Sequence, residues 1–316
     1  MFEGFAHVWT PVALASRLGR APVRVTVAGE PVVLFRTAGG APGALIDRCP
    51  HRGVALSLGR VTADGCLECP FHGWRFAASG VNTHAPLNPD AKLDLLSATA
   101  LPVRRIGEMI WIYTAPGEAA PVEPVVPLGL DGAGLSRIYV ERDWACHWTR
   151  AMENMLDSPH LPFVHRRTIG RTLRRRMTTH SRMEISWEDT DFGGRATAIL
   201  DDKGPGAVLE YFRPNIMALI IPVPGRHLRI HAVVTPAQAG RTRLTVVGSR
   251  DFARLGLLDP VFGWMNGRIA DEDQAVVESS GPEEVPPPGA EPSLATDRAT
   301  LQFRTYYHHH LRASAA

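Results

Sequence analysis

The chain has 316 residues, 45% of them hydrophobic, and a formal charge of +2. That length exceeds one small core and suits two domains, while the near-balanced charge makes no electrostatic case for nucleic acid or a membrane surface. No apolar run reaches the roughly 18 to 20 residues that span a bilayer. The opening Met-Phe-Glu-Gly-Phe-Ala-His lacks the basic-then-apolar order of a secretion signal, and four cysteines make no disulfide scaffold, so a reducing cytoplasm is expected.

In chain order, the first 115 residues read as short strands. Val23–Val27 and Pro31–Phe35 are β-branched runs separated by a hairpin signal, Ala44–Asp47 follows, and Met109–Tyr113 is a further strand. Residues 116–127 are rich in proline and small residues, as in an extended linker. Beyond it, Trp144–Asp157 has a helical pattern. Arg182–Trp187, Arg195–Leu200, Ala218–Ile221, Leu228–Thr235 and Arg243–Gly248 read as strands, and Phe252–Val277 as a helix broken near Pro260. The expected class is α+β, with an all-β domain at 1–115, a linker at 116–127 and a mixed domain at 128–316. The tail Tyr306-Tyr-His-His-His310 resembles part of a purification tag, although it lies in an apolar and aromatic context.

Three of the four cysteines fall within residues 49–74. Cys49-Pro-His51-Arg-Gly and Cys69-Pro-Phe-His72-Gly-Trp each offer one thiolate and one imidazole, ligands that suit zinc, copper and iron–sulfur centres. Zinc fingers usually pair Cys with Cys and His with His. The interleaving here suits a two-iron cluster with two cysteines on one iron and two histidines on the other. The stretch closely resembles a Rieske [2Fe–2S] motif, and that resemblance implies Cys49 and Cys69 on one iron, His51 and His72 on the other. Cys66 and Cys146 match neither phrase and read as buried small hydrophobes.

A second constellation is Asn154-Met-Leu-Asp157-Ser-Pro-His160-Leu-Pro-Phe-Val-His165. Asn154 and Asp157 lie one helical turn apart. Pro159 and Pro162 disrupt the helix, so His160 and His165 sit where the chain turns and both rings can converge. Two neutral imidazoles plus one carboxylate make the facial triad of non-haem iron(II) oxygenases. The third ligand is sought in Ile269-Ala-Asp-Glu-Asp273-Gln-Ala-Val-Val277. At about 100° per residue, Asp273 falls near the apolar face, Glu272 at its margin and Asp271 opposite. An acid aimed at the core is costly unless it is paired or metal-bound, which favours Asp273. Asp157 reads as an orienting carboxylate for a ligating histidine.

Downstream of a Rieske motif, the Asn-x2-Asp-x2-His-x4-His spacing is similar to the mononuclear iron motif of Rieske oxygenase terminal components. It resembles most the group with O-demethylases, chlorophyll-pathway oxygenases and steroid hydroxylases. The resemblance also places the carboxylate ligand at Asp273. It implies a helix-grip catalytic domain with a curved antiparallel sheet, one [2Fe–2S] cluster and one Fe(II) per chain, and O2 as co-substrate. NAD(P)H electrons would arrive through a separate reductase or ferredoxin, since no Gly-rich dinucleotide fingerprint is present. The implied reaction is hydroxylation, dihydroxylation or oxidative demethylation of a small, aromatic or cyclic substrate. The implied assembly is a head-to-tail homotrimer in which Asp157 joins His160 to His72 of the adjacent chain. The rival reading is a Rieske-type electron-transfer protein without oxygenase chemistry.

Other features read more weakly. The basic run Arg166–Arg176 reads as a solvated face or a docking patch for an acidic electron donor. Alternation puts His231 opposite Leu228, Ile230 and Ala232, where it could orient a substrate in a curved sheet. Asn215, after Phe-Arg-Pro, is a further substrate candidate.

Overall fold

The β-branched and aromatic runs of the N-terminal half form antiparallel strands in the computed structural model, which describes residues 1–120, 122–204 and 206–312. The chain divides into two units, Met1–Pro124 and one that begins at Val125.

In the first unit, β1 (Trp9–Leu14) pairs with β10 (Met109–Tyr113), which pairs with β9 (Val103–Ile106). A second sheet joins β2 (Val23–Val27), β3 (Glu30–Arg36) and β4 (Pro42–Ile46). The β2–β3 turn is the two-residue Ala28-Gly29, with φ of +46° and +81°, a left-handed pair that matches the strand twist of a tight hairpin. A third sheet has the short strands β5 (Arg60–Val61), β6 (Leu67–Glu68), β7 (Arg75–Phe76) and β8 (Asn82–His84). Val33, Phe35, Leu45, Leu56, Leu67 and Phe76 form a buried core that includes Cys49 and Cys69.

The second unit is built on a seven-stranded antiparallel sheet in the order β11-β17-β16-β15-β14-β13-β12. Its strands are β11 (Ser136–Trp144), β12 (Met183–Thr190), β13 (Gly193–Leu200), β14 (Ala207–Phe212), β15 (Ile216–Ile220), β16 (Leu228–Gln238) and β17 (Arg241–Arg250). Two of these, β11 and β14, were not expected from the sequence. Trp144 ends a strand rather than opening a helix, and α1 runs Trp148–Leu156 behind an N-cap at His147. Pro260 does not break the later helix. It sits in the first turn of α4 (Asp259–Val277), where the missing N–H would have had no helical partner. Pro162 does the same for the short helix α2 (Leu161–Val164). A third short helix, α3, covers Arg171–Arg176, and its arginines are exposed.

The last helix, α5 (Arg298–Tyr306), passes into a π-helical turn over Tyr307–Arg312. Trp148 meets Phe303 and Tyr307 edge-on, Tyr307 Oη donates to Glu284, and His308 is hydrogen-bonded to the Val285 carbonyl. The histidine-rich tail is thus packed as part of the domain. Beneath it Arg150 and Arg304 share Glu153 and Glu291 in a largely buried ion network that ties α1 to α5.

Two candidate metal centres

The two Cys-His phrases fold into matching loops. Cys49 N–H donates to Val54 O and Gly53 N–H to Cys49 O. Cys69 N–H likewise donates to Trp74 O and Gly73 N–H to Cys69 O. Each loop turns on a glycine, with φ of +72° at Gly53 and +71° at Gly73, a conformation that costs little only without a Cβ. The cysteines point inward and are buried, while His51 and His72 lie outward with ring centroids 4.7 Å apart and Trp74 stacked on His51 at 4.5 Å.

The donor chemistry fits a two-iron cluster. Burial, reinforced by the adjacent Cys69, pushes the Cys49 thiol up to about 11, so a thiolate there calls for a cation. Burial and the neighbouring His72 and Arg52 hold His51 below the usual histidine value, and His51 Nδ1 is a buried atom without a hydrogen-bond partner among the described residues. Cys66 and Cys146 belong to neither loop. Both are buried, Cys66 Sγ is 3.6 Å from Thr83 Oγ1, and burial raises Cys146 to about 11.

In the second unit His160 and His165 flank α2, and Asp273 enters from α4. Asp273 Oδ1 lies 3.1 Å from His165 Nε2 and 3.6 Å from His160 Nε2. One ligand atom from each of the three lies within 4.8 Å of the others. The helix-face reading of the acidic triplet matches where the chain puts it. Asp271 pairs with Arg142 at an exposed edge, Glu272 turns to the His165 ring, and Asp273 is buried. Burial keeps His160 below the usual histidine value, the form that binds metal. Burial also opposes charge on His165, but Asp273 and Glu272 outweigh it and raise that ring.

Gly170 lets this segment close on itself. A Cβ there would stand 1.9 Å from Leu161 O, and its N–H donates to His165 O. Asn154 lies on α1 with Nδ2 buried and without a hydrogen bond among the described residues. Asp157 caps the same helix, 3.9 Å from His160 Nδ1, beyond hydrogen-bond reach.

These residues line one end of a cavity whose remaining wall is apolar. The wall follows from strand pairing. Leu209 pairs with Leu219 and Leu219 with Ile230, while Met217 pairs with Ala232 and Ala232 with Val246. All of these face the cavity, joined by Leu161, Ile169 and Ile269.

The alternation that aims Ile230 and Ala232 into the cavity aims His231 out of it. His231 is buried between the carbonyls of Leu128 and Val247, at 3.1 and 3.2 Å, and burial pushes it down to about 4. Asn215 is fully buried, its Nδ2 donating to Val234 O. Neither is among the residues that line this cavity, where the sequence reading expected them to meet substrate. Glu272, which helix periodicity sets at the margin of the apolar face, lies with its Oε2 3.0 Å from His165 Nδ1, a contact the sequence does not announce.

Residues 8–102 match the family model of the Rieske [2Fe–2S] domain, and residues 144–219 match that of the vanillate O-demethylase oxygenase C-terminal domain. The chain is similar to chlorophyllide a oxygenase, a chloroplastic protein of Chlamydomonas reinhardtii. Identity is 28% over 300 residues, covering 87% of this chain and 43% of that protein. It is also similar to phenoxybenzoate dioxygenase subunit alpha of Ectopseudomonas oleovorans, at 30% over 255 residues, covering 73% and 61%. The chain therefore spans less than two thirds of the length of these curated relatives. Among solved structures, dicamba monooxygenase bound to dicamba shares the fold with a TM-score of 0.81 over 98% of both chains, at 24% identity. No helix among the described residues is long and apolar enough to cross a membrane.

Proposed function

We propose that this chain is the terminal oxygenase component of a multicomponent Rieske oxygenase system, a reading supported by its matches to the Rieske [2Fe–2S] domain and to the vanillate O-demethylase oxygenase C-terminal domain. One observation carries the proposal. A single chain holds two donor sets of different chemistry, a pair of loops with two cysteines and two histidines, and a cluster of two histidines and one carboxylate facing an apolar cavity. In this reading Cys49 and Cys69 hold one iron of the cluster and His51 and His72 the other. His160, His165 and Asp273 hold a mononuclear Fe(II), which supplies dioxygen binding and activation when electrons reach it. Asn154, with its free amide facing the same cavity, adds a polar group beside that centre.

In this reading the electrons come from a separate NAD(P)H-dependent reductase, with or without a ferredoxin. The substrate is a small aromatic or cyclic molecule. The wall formed by Leu209, Met217, Leu219, Ile230 and Val246 binds it through apolar area and shape. The reaction is hydroxylation or, at a methoxy or N-methyl carbon, oxidative demethylation with release of formaldehyde. We further propose a head-to-tail homotrimer in which Asp157 joins His160 to His72 of the adjacent chain, a closed heterologous ring.

Metal analysis together with oxygen uptake tests the reading. The expected result is about three irons per chain and reductase-driven oxygen consumption coupled to substrate loss. About two irons per chain, with electron acceptance but no oxygen consumption across a panel of aryl methyl ethers, would instead identify an electron carrier.

A further inference from the structure

Glu272 stands beside the cluster of His160, His165 and Asp273 without belonging to it. Its Oε2 lies 3.0 Å from His165 Nδ1, and Thr168 Oγ1 donates to the same oxygen at 2.7 Å. Its other oxygen, Oε1, accepts from Arg268 Nε at 3.2 Å, so both carboxylate oxygens are held. The side chain is only 11% exposed and the His165 side chain 1%, which leaves water little access to the contact.

We infer that Glu272 is the positioning residue of the mononuclear metal centre, fixing His165 through its Nδ1–H. The inference rests on the metal centre proposed above and adds a role for which the three ligands give no evidence. Imidazole has two ring nitrogens, and a hydrogen bond at one decides the tautomer and rotation of the other. With Nδ1–H donated to Glu272, the lone pair of Nε2 points toward Asp273, where a metal would be bound. The second carboxylate also adds a negative charge near the cation and raises the basicity of the ring.

The other histidine lacks this support. His160 Nδ1 is buried without a hydrogen-bond partner among the described residues, and Asp157 is 3.9 Å away. Within a single chain the two imidazoles are therefore unequal, His165 locked by a two-point carboxylate and His160 without such a contact. Thr168 completes the lock, because its hydroxyl also reaches the His165 carbonyl at 3.4 Å and ties backbone and carboxylate to one residue.

Competition between the full-length protein and a chromophoric chelator tests this, with Fe(II) and Co(II) as the metals added to cluster-loaded protein. Wild type should take up one further metal ion per chain. Glu272→Gln keeps an oxygen for the hydrogen bonds but loses the charge, and should weaken metal binding about 10-fold. Glu272→Ala loses both and should weaken it by up to about 100-fold. Thr168→Val should fall between wild type and Glu272→Ala. The melting temperature of Glu272→Gln and the visible cluster spectrum of all three variants should stay at wild-type values, which separates positioning from folding. Wild-type metal affinity in Glu272→Ala overturns the inference, as does equal loss of the cluster spectrum. Failure of wild type to bind the additional ion would instead overturn the metal-centre reading beneath it.

Discussion

His165 Nε2 and Asp273 Oδ1 meet at 3.1 Å, bringing together a turn after α2 and the last third of α4. A buried carboxylate beside two imidazoles is costly to assemble without a cation to share, and in the proposed reading each of the three holds the metal. His160→Ala and Asp273→Ala should abolish turnover and release the mononuclear iron while leaving the Rieske absorbance intact, since the two donor sets occupy different units. Iron content and the visible spectrum, measured on the same sample, check it. Oxygen-coupled turnover at the wild-type rate in Asp273→Ala would sink the ligand assignment.

Cys69 sits at the base of a loop that repeats the Cys49 loop bond for bond. Cys69→Ser should lose the visible spectrum of the cluster and all reductase-driven activity, because one iron would be left with a single thiolate. Serine preserves the shape, so the fold of the second unit should persist by circular dichroism. A variant that still accepts electrons at the normal rate would show that the cluster lies elsewhere.

How much of this was legible in the sequence depended on how local each feature is. The phrases that carry Cys49, His51, Cys69, His72, His160 and His165 are short, and their residue types are chemically unusual at that spacing, so they are legible without the fold. Asp273 could be chosen from its neighbours because helix periodicity separates Asp271, Glu272 and Asp273 onto different sides. Glu272 was harder to place, since its partner His165 comes from a different segment and only the packing of α4 brings them within 3.0 Å. Strand β11 was hidden because its residues are nearly all half-buried, so apolar and charged positions do not alternate cleanly. For His231, alternation sets the side chain opposite Ile230 and Ala232, but a period of two does not tell which face carries the cavity.

The ion network between α1 and α5 makes a stability prediction. Arg304 is 6% exposed and bonds Glu153 and, at 2.6 Å, Glu291. Arg304→Ala leaves two carboxylates to Arg150 alone. Breaking a wholly buried pair costs about 3–5 kcal/mol, and the 30% exposure of Glu291 lowers the expectation to roughly 2–3 kcal/mol. Urea denaturation read by tryptophan fluorescence measures this directly. A change below about 0.5 kcal/mol, the usual range for a surface substitution, would mean the network adds nothing net.

Asp157 makes two separable predictions, one for stability and one for electron flow. Burial, with repulsion from Asp297, Glu153 and Asp273, pushes its carboxyl up to about 6, against about 3.9 in an unfolded chain. A carboxyl raised in this way favours the fold when protonated. That contribution is fully present below about pH 4 and is lost as the pH rises through about 6. Asp157→Asn stays neutral throughout, so it should match wild type below pH 4 and exceed it above pH 6. The side chain is 36% exposed, and solvent screening holds the gain to about 1 kcal/mol or less. Thermal melts of the metal-free single chain from pH 4 to pH 8 give the sign, and a gain confined to low pH would contradict it. The second prediction follows from the proposed ring of chains, in which this carboxylate bridges His160 and the next chain's His72. Asp157→Asn should keep both metal centres yet slow electron delivery from the cluster to the iron by orders of magnitude in a single-turnover experiment. A fully active monomer in solution, or an unchanged transfer rate in the variant, would remove Asp157 from the electron path while leaving its effect on stability in place.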